Sequence, residues 1–172
     1  MKKYVIIGVL AVLSSSLFAQ GELINQYLNK YETNEDFVKV SINSKMFSLF
    51  TEMESESEDE QAFLEAVSKL KGLKVLASDS IPEGSARIFK KASNDVEEAG
   101  YEELMTVKDA EENIKFSIKE KKGIIEELLM IVGGNQKFIF LSLYGEIDLK
   151  SVSKLASSMR VDALKDLEKL DN

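Results

Sequence analysis

Four consecutive strand-like segments between Glu103 and Tyr144 constrain this chain more than any other feature it has. Asn113 to Lys119 alternates most cleanly, with Ile114, Phe116 and Ile118 facing one way and Lys115, Ser117 and Lys119 the other, which predicts that the face carrying these three is partly wet. Glu103 to Lys108 precedes it, and Lys137 to Tyr144 is a strong apolar strand at the far end. Ile124 to Val132 also fits helical spacing. The Gly133-Gly134-Asn135 hairpin turn that follows at once assigns Glu126 to Val132 to a strand. Lys121-Lys122-Gly123 supplies the turn before it. Strands joined this closely have no room for crossovers, so each pairs antiparallel with its neighbour in sequence. The last two are apolar on both faces near their centres, which predicts a place in mid-sheet.

Helices and two more strands precede this meander. Gly21 to Tyr31 predicts a short amphipathic helix, with Ile24, Tyr27, Leu28 and Tyr31 on its apolar side. Phe37 to Ile42 predicts a strand with Val38, Val40 and Ile42 inward. Ser44 is placed to cap a helix that turns Phe47, Phe50, Met46 and Met53 to the core. Gln61 to Lys71 predicts a helix through Phe63, Val67 and Leu70, with Gly72 as its terminal glycine. Leu73 to Ala77 predicts a buried strand. Pro82 suits the opening of a helix striped by Ala86, Phe89, Ala92, Val96 and Ala99, and Gly100 ends it. Asp148 caps a final helix through Leu149, Val152, Leu155, Ala156 and Met159. The expectation is an α+β two-layer sandwich: a mostly antiparallel sheet of about six strands with helices packed on one face.

The first nineteen residues read as an export signal. Lys2 and Lys3 precede an apolar run, Val5 to Leu13, too short to span a bilayer, and small residues lead to a cut after Ala19. The remainder, about 153 residues, suits a single domain over 20–160 with a polar, partly helical tail over 161–172. The sequence therefore predicts an exported protein, periplasmic or extracellular, with no stable membrane anchor once the signal is removed.

Composition narrows the chemistry. There is no cysteine, histidine or tryptophan. Disulfides, thiol nucleophiles, Ser-His-Asp centres and zinc sites of the usual kind are thereby excluded. Net charge is −8. An acidic chain keeps itself soluble and repels phosphate backbones, so nucleic acid is not an expected partner.

Several motifs offer themselves as sites. Ser151-Val152-Ser153-Lys154 matches the S-x-x-K spacing of Ser-Lys acyl enzymes but lacks the partner motifs of that class. The acidic run Glu52 to Glu60 reads as an exposed loop; calcium is the alternative, though EF-hand spacing is missing. Glu102/Glu103, Glu111/Glu112 and Glu126/Glu127 supply acids, yet neighbours on a strand face opposite ways, so no pair can form one glycosidase site. Gly133-Gly134 is a turn and not a phosphate cradle, since no helix follows. Asp79 to Gly84 leaves a strand and opens a helix; it reads as a helix-start turn, with an anion site as the alternative that Asp79 and Glu83 oppose. No catalytic, cofactor-binding or metal-binding residue is assigned.

Gly100-Tyr101-Glu102-Glu103-Leu104-Met105, Glu127 to Gly134, and Gly145-Glu146-Ile147-Asp148-Leu149 before a Ser- and Leu-bearing helix form a pattern. It resembles the bacterial family known as domain of unknown function 4252. Ser44-Lys45-Met46-Phe47 and Lys71-Gly72-Leu73-Lys74 are similar as well. The resemblance covers nearly all of the chain after the signal. It implies a small exported protein of Gram-negative bacteria and brings no activity or catalytic residue. Many members carry a lipoprotein cysteine, which this chain lacks.

Three functional classes follow. The leading one is a non-enzymatic binding or interaction module of the cell envelope, taking a protein, a small molecule or a second copy of itself. The others are a small histidine-independent hydrolase and an accessory subunit of an envelope signalling or export complex.

Overall fold

The computed structural model describes residues 20–51, 58–81 and 84–149. The elements run α1 (Glu22–Lys30), β1 (Val38–Asn43), α2 (Ser44–Phe50), α3 (Glu58–Ser68), β2 (Leu70–Ser78), α4 (Ser85–Glu98), β3 (Glu102–Lys108), β4 (Asn113–Lys121), β5 (Ile124–Gly134) and β6 (Lys137–Ile147). Among the described residues the strands form one sheet in the order β1-β2-β6-β5-β4-β3, antiparallel throughout. This is the α+β sandwich on a six-stranded antiparallel sheet expected from the sequence. β5 and β6 occupy its centre.

The helices divide between the two faces, whereas the sequence pattern put them on one. α1 and α4 bury Leu23, Ile24, Tyr27, Ala92 and Val96 against Leu76, Leu129, Ile131, Phe138 and Phe140. Phe47 of α2 and Val67 of α3 join the opposite cluster, with Phe116, Leu128, Met130 and Leu143. The alternation of Leu128 with Leu129, and of Met130 with Ile131, makes both sides of β5 apolar. Each side needs its own cover.

Local departures from the sequence reading have physical causes. Val38 and Val40 are exposed because β1 is an edge strand; of the three alternating residues only Ile42 packs against the core. Lys115 and Ser117 are buried, not wet: they lie beside Ile131 and Leu129 of β5, on the side that α1 and α4 cover. The Lys115 ammonium is neutralised there by Glu97 of α4 and by Glu103, 3.1 Å away on β3. Burial pulls its pKa down, but the two carboxylates outweigh burial and leave it above the ordinary lysine value. Asn43, not Ser44, caps α2, its Oδ1 accepting from the amides of Lys45 and Met46. α3 starts at Glu58, inside the acidic run, and ends at Ser68. Gly72 ends no helix: it lies within β2 beneath the Tyr144 ring, where any side chain would collide.

The two tight hairpins are set by backbone chemistry. Lys122 and Gly123 turn β4 into β5, and Asn135 and Gln136 turn β5 into β6, all four at positive φ. Paired positive φ angles match the natural twist of the flanking strands. Gly133 and Gly134 therefore belong to β5 and not to the turn, and a side chain on Gly133 would strike Phe89 of α4. Pro82, the helix expected after Asp148 and the 161–172 tail lie outside the described residues. Leu149 is described, and it packs against the α2–α3 side of the core.

One charged group lies at the centre of the α1–α4 side. Glu127 on β5 is fully buried. Its Oε2 accepts from the Gly21 amide at 3.0 Å and the Tyr101 hydroxyl at 2.8 Å, and its Oε1 accepts from the Ser142 hydroxyl at 2.6 Å. A buried carboxylate is tolerated only when its lone pairs are met in this way. The three donors sit at the start of α1, just past the end of α4, and on β6, so one carboxylate ties both helices to the sheet. Glu127→Ala leaves three donors buried and unmet and should cost about 3–5 kcal/mol of stability. Glu127→Gln keeps one acceptor oxygen and should cost less. Urea unfolding of both variants measures the difference, and equal losses would contradict the assigned hydrogen bonds.

Candidate functional site

α1 and α4 run antiparallel across the sheet. At the end away from Glu127, the end of α1, the loop after it and the start of α4 line a cleft of about 400 Å³. Its volume is in the range of small-molecule sites. Its apolar wall is aromatic. Tyr31 packs on Phe37 with ring centroids 4.3 Å apart, Phe37 meets Phe138 edge-on at 6.5 Å, and Tyr27 meets Phe140 edge-on at 5.0 Å. Ile81 and Ile88 close the other side. Ile81 is held by its own amide, which donates to the Gln136 carbonyl at 2.9 Å. The turn between the two central strands thus fixes one wall.

The rim is cationic. Among the described residues, Lys30, Arg87 and Lys91 line it together with one acid, Asp36. Arg87 and Lys91 share a helix face because they are four residues apart, and Lys30 reaches across from the end of α1. Lys30 lies 5.2 Å from the Tyr31 ring centroid. Lys91 is already committed, its Nζ donating to both Asp95 oxygens at 2.8 and 2.6 Å. Arg87 has no ion-pair partner among the described residues.

Asp95 is also the tie between the helices, since the Tyr27 hydroxyl donates to it at 2.5 Å. Burial pushes the Asp95 carboxyl up, but the Lys91 ammonium and the Tyr27 hydroxyl outweigh burial and hold it below its ordinary value of 3.8. Burial, then the hydrogen bond to Asp95 and its charge, raise the Tyr27 phenol far above its ordinary value. Burial, with the charge of Glu127, raises Tyr101 and Tyr144 in the same direction.

The structure scatters most of the motifs singled out in the sequence. Ser151, Lys154 and the stretch 52–57 of the acidic run lie outside the described residues. Glu103 points to Lys115, Glu112 pairs with Lys137 at 3.0 Å, and Glu127 is enclosed by its three donors, so these acids share no site. Among the described residues no group of three or more acids is placed to hold a metal ion, and no helix is long and apolar enough to cross a membrane. The Asp79–Gly84 turn reaches the cleft: Ser80, Ile81 and Gly84 line it. The cations that face it lie beyond that motif, on α1 and further along α4. Spacing shows the Arg87–Lys91 pair, but the approach of Lys30 depends on how the two helices pack.

A second cavity of about 590 Å³ lies at the opposite end of the sheet, with Lys69, Lys71, Lys121 and Lys122 around it. Glu126 and Glu146 share its lining, and Lys69 is paired with Glu146 at 3.2 Å, both about half exposed. No ring of the described residues forms a wall.

A family model described as domain of unknown function (DUF4252) matches residues 31–155. The chain belongs to this family. The matched stretch includes all six strands and α2, α3 and α4, and it begins at Tyr31, in the wall of the cleft. Arg87 and Lys91 therefore fall inside the family region, and Tyr27 and Lys30 fall just before it. No curated protein and no solved structure matches the chain.

The shifted groups make stability depend on pH at both extremes. Asp95 has a lowered pKa, so its contribution is present above its unfolded value of 3.8 and is lost as pH falls through the folded value. The three tyrosines have raised pKa values, so theirs is present below the unfolded value of 10.0 and is lost as pH rises further. Tyr27→Phe should flatten part of both arms, because it removes one phenol and one donor to Asp95. Urea midpoints across pH test this, and a variant profile parallel to that of the parent would refute the Tyr27–Asp95 tie.

Proposed function

We propose that this chain is an exported, non-enzymatic binding module of the bacterial cell envelope. Its cleft between α1 and α4 takes a small amphipathic anion, a carboxylate on an apolar body. The observation that carries this reading is a ring-walled cavity whose rim, among the described residues, holds three cations and one acid, on a chain whose net charge is −8. An apolar body would lie against Tyr31, Phe37 and Ile88, and its carboxylate would meet Arg87. A guanidinium can grip a carboxylate with two parallel hydrogen bonds, which a lysine cannot do.

Binding without turnover fits the residues at hand. A carboxylate hydrolase would need a second acid facing Glu127, and a backbone amide and two hydroxyls occupy that space. Among the described residues the cleft presents cations and rings, and Asp36 is its one acid, with no second carboxylate to pair with. The export expectation rests on the N-terminal sequence alone.

Titration of the labelled protein with aromatic and straight-chain carboxylates, followed by amide chemical shifts, tests the proposal. Shifts should gather around Tyr31, Ile81 and Arg87. The alcohols of the same bodies should bind about tenfold more weakly, and Arg87→Ala should weaken the carboxylates by a similar factor. Equal affinity for alcohol and acid, or an unaltered Arg87→Ala variant, would overturn the assignment.

A further inference from the structure

The sheet ends in two unequal edges. β3 has a register break between Glu103 and Met105 and carries the charged residues Glu102, Glu103 and Lys108. Breaks and charges of this kind keep an edge from pairing with another chain. β1 has no such break. Its six residues pair with β2 without a register shift, from Val38 opposite Ala77 to Asn43 opposite Gly72. Its one charged residue, Lys39, folds back, Nζ donating to the carbonyls of Asn34 and Phe37 at 2.9 and 3.1 Å. Val38 is 64% exposed and Val40 39%. α2 leaves the end of this strand and adds exposed Met46 and Leu49.

We propose that β1 pairs antiparallel with β1 of a second copy about a two-fold axis at Val40, joining the two sheets edge to edge. The strand is self-complementary in that register. Val40 meets its own symmetry mate, Val38 meets Ile42, and Lys39 meets Ser41. A shift of one residue sets Val40 against Ser41 and turns the apolar face of one copy to the polar face of the other. A shift of two opposes Lys39 to Lys39 in one direction and leaves Val38 without an apolar partner in the other. Charge supports the same pairing. The approach to β1 is acidic through exposed Glu35 and Asp36, and its exit is basic through exposed Lys45. Antiparallel pairing brings the approach of one copy beside the exit of the other, so opposite charges meet at both ends. The dimer does not depend on the cleft or its ligand.

Sedimentation of the purified protein up to about 1 mM, the weak limit of specific association, should give twice the mass of one chain. Val40→Lys sets like charges on the axis and should return the mass to that of one chain, with an unchanged circular dichroism spectrum. The chain has no cysteine, so a single introduced thiol is unambiguous. Opposed residues on antiparallel strands lie about 4.5–5.5 Å apart at Cα, within disulfide reach. Val40→Cys should oxidise to a covalent dimer. Val38→Cys alone should not, and combining it with Ile42→Cys should restore the cross-link. A monomer throughout the range, a Val40→Lys variant that stays dimeric, or a Val40→Cys variant that never cross-links would each overturn the proposal.

Discussion

The carboxylate of Glu127 is the constraint on which the α1–α4 half of the molecule depends. A charge in the interior is costly unless every lone pair is engaged, and here the partners come from three separate parts of the chain. Gly21 lies at the start of α1, Tyr101 follows α4, and Ser142 is on β6. The backbone amide among them matters most. It demands that the chain enter α1 at one place and in one direction. A purely apolar contact at this point would hold α1 to the sheet without setting its position along the sheet.

From that anchor the geometry of the cleft follows. α1 is pinned at its start by Glu127 and near its end by the Tyr27–Asp95 hydrogen bond. Tyr31 and Lys30 are therefore carried to a fixed place beside the first turns of α4. The loop that follows α1 folds Phe37 back under Tyr31. The same Asp95 that accepts from Tyr27 neutralises Lys91, whereas Arg87, one turn earlier on α4, has no ion-pair partner among the described residues. Structural ties and binding surface are thus built from adjacent residues of one helix.

Much of the architecture was legible in periodicity. The meander, the central place of β5 and β6, and the apolar faces of α1 and α4 all follow from side-chain alternation and turn chemistry, which are local properties. The errors cluster where a residue's surroundings come from distant segments. Val38 and Val40 read as core residues because alternation gives a face but does not say whether anything covers it. Lys115 and Ser117 read as wet because a polar residue in a strand usually is; here Glu97, from another element, makes burial of the lysine tolerable. Gly72 read as a helix end because a glycine's role depends on what lies against it, and the Tyr144 ring belongs to a strand more than seventy residues away.

By itself the amino-acid sequence determined the class of fold, the family and the exclusion of histidine and cysteine chemistry, because these depend on residue types, spacing and local turn geometry. The tertiary structure decided which acid is buried, which cations share a cavity and which sheet edge is left open. Those properties depend on packing between elements far apart in the chain, and no local pattern encodes how close two such elements come.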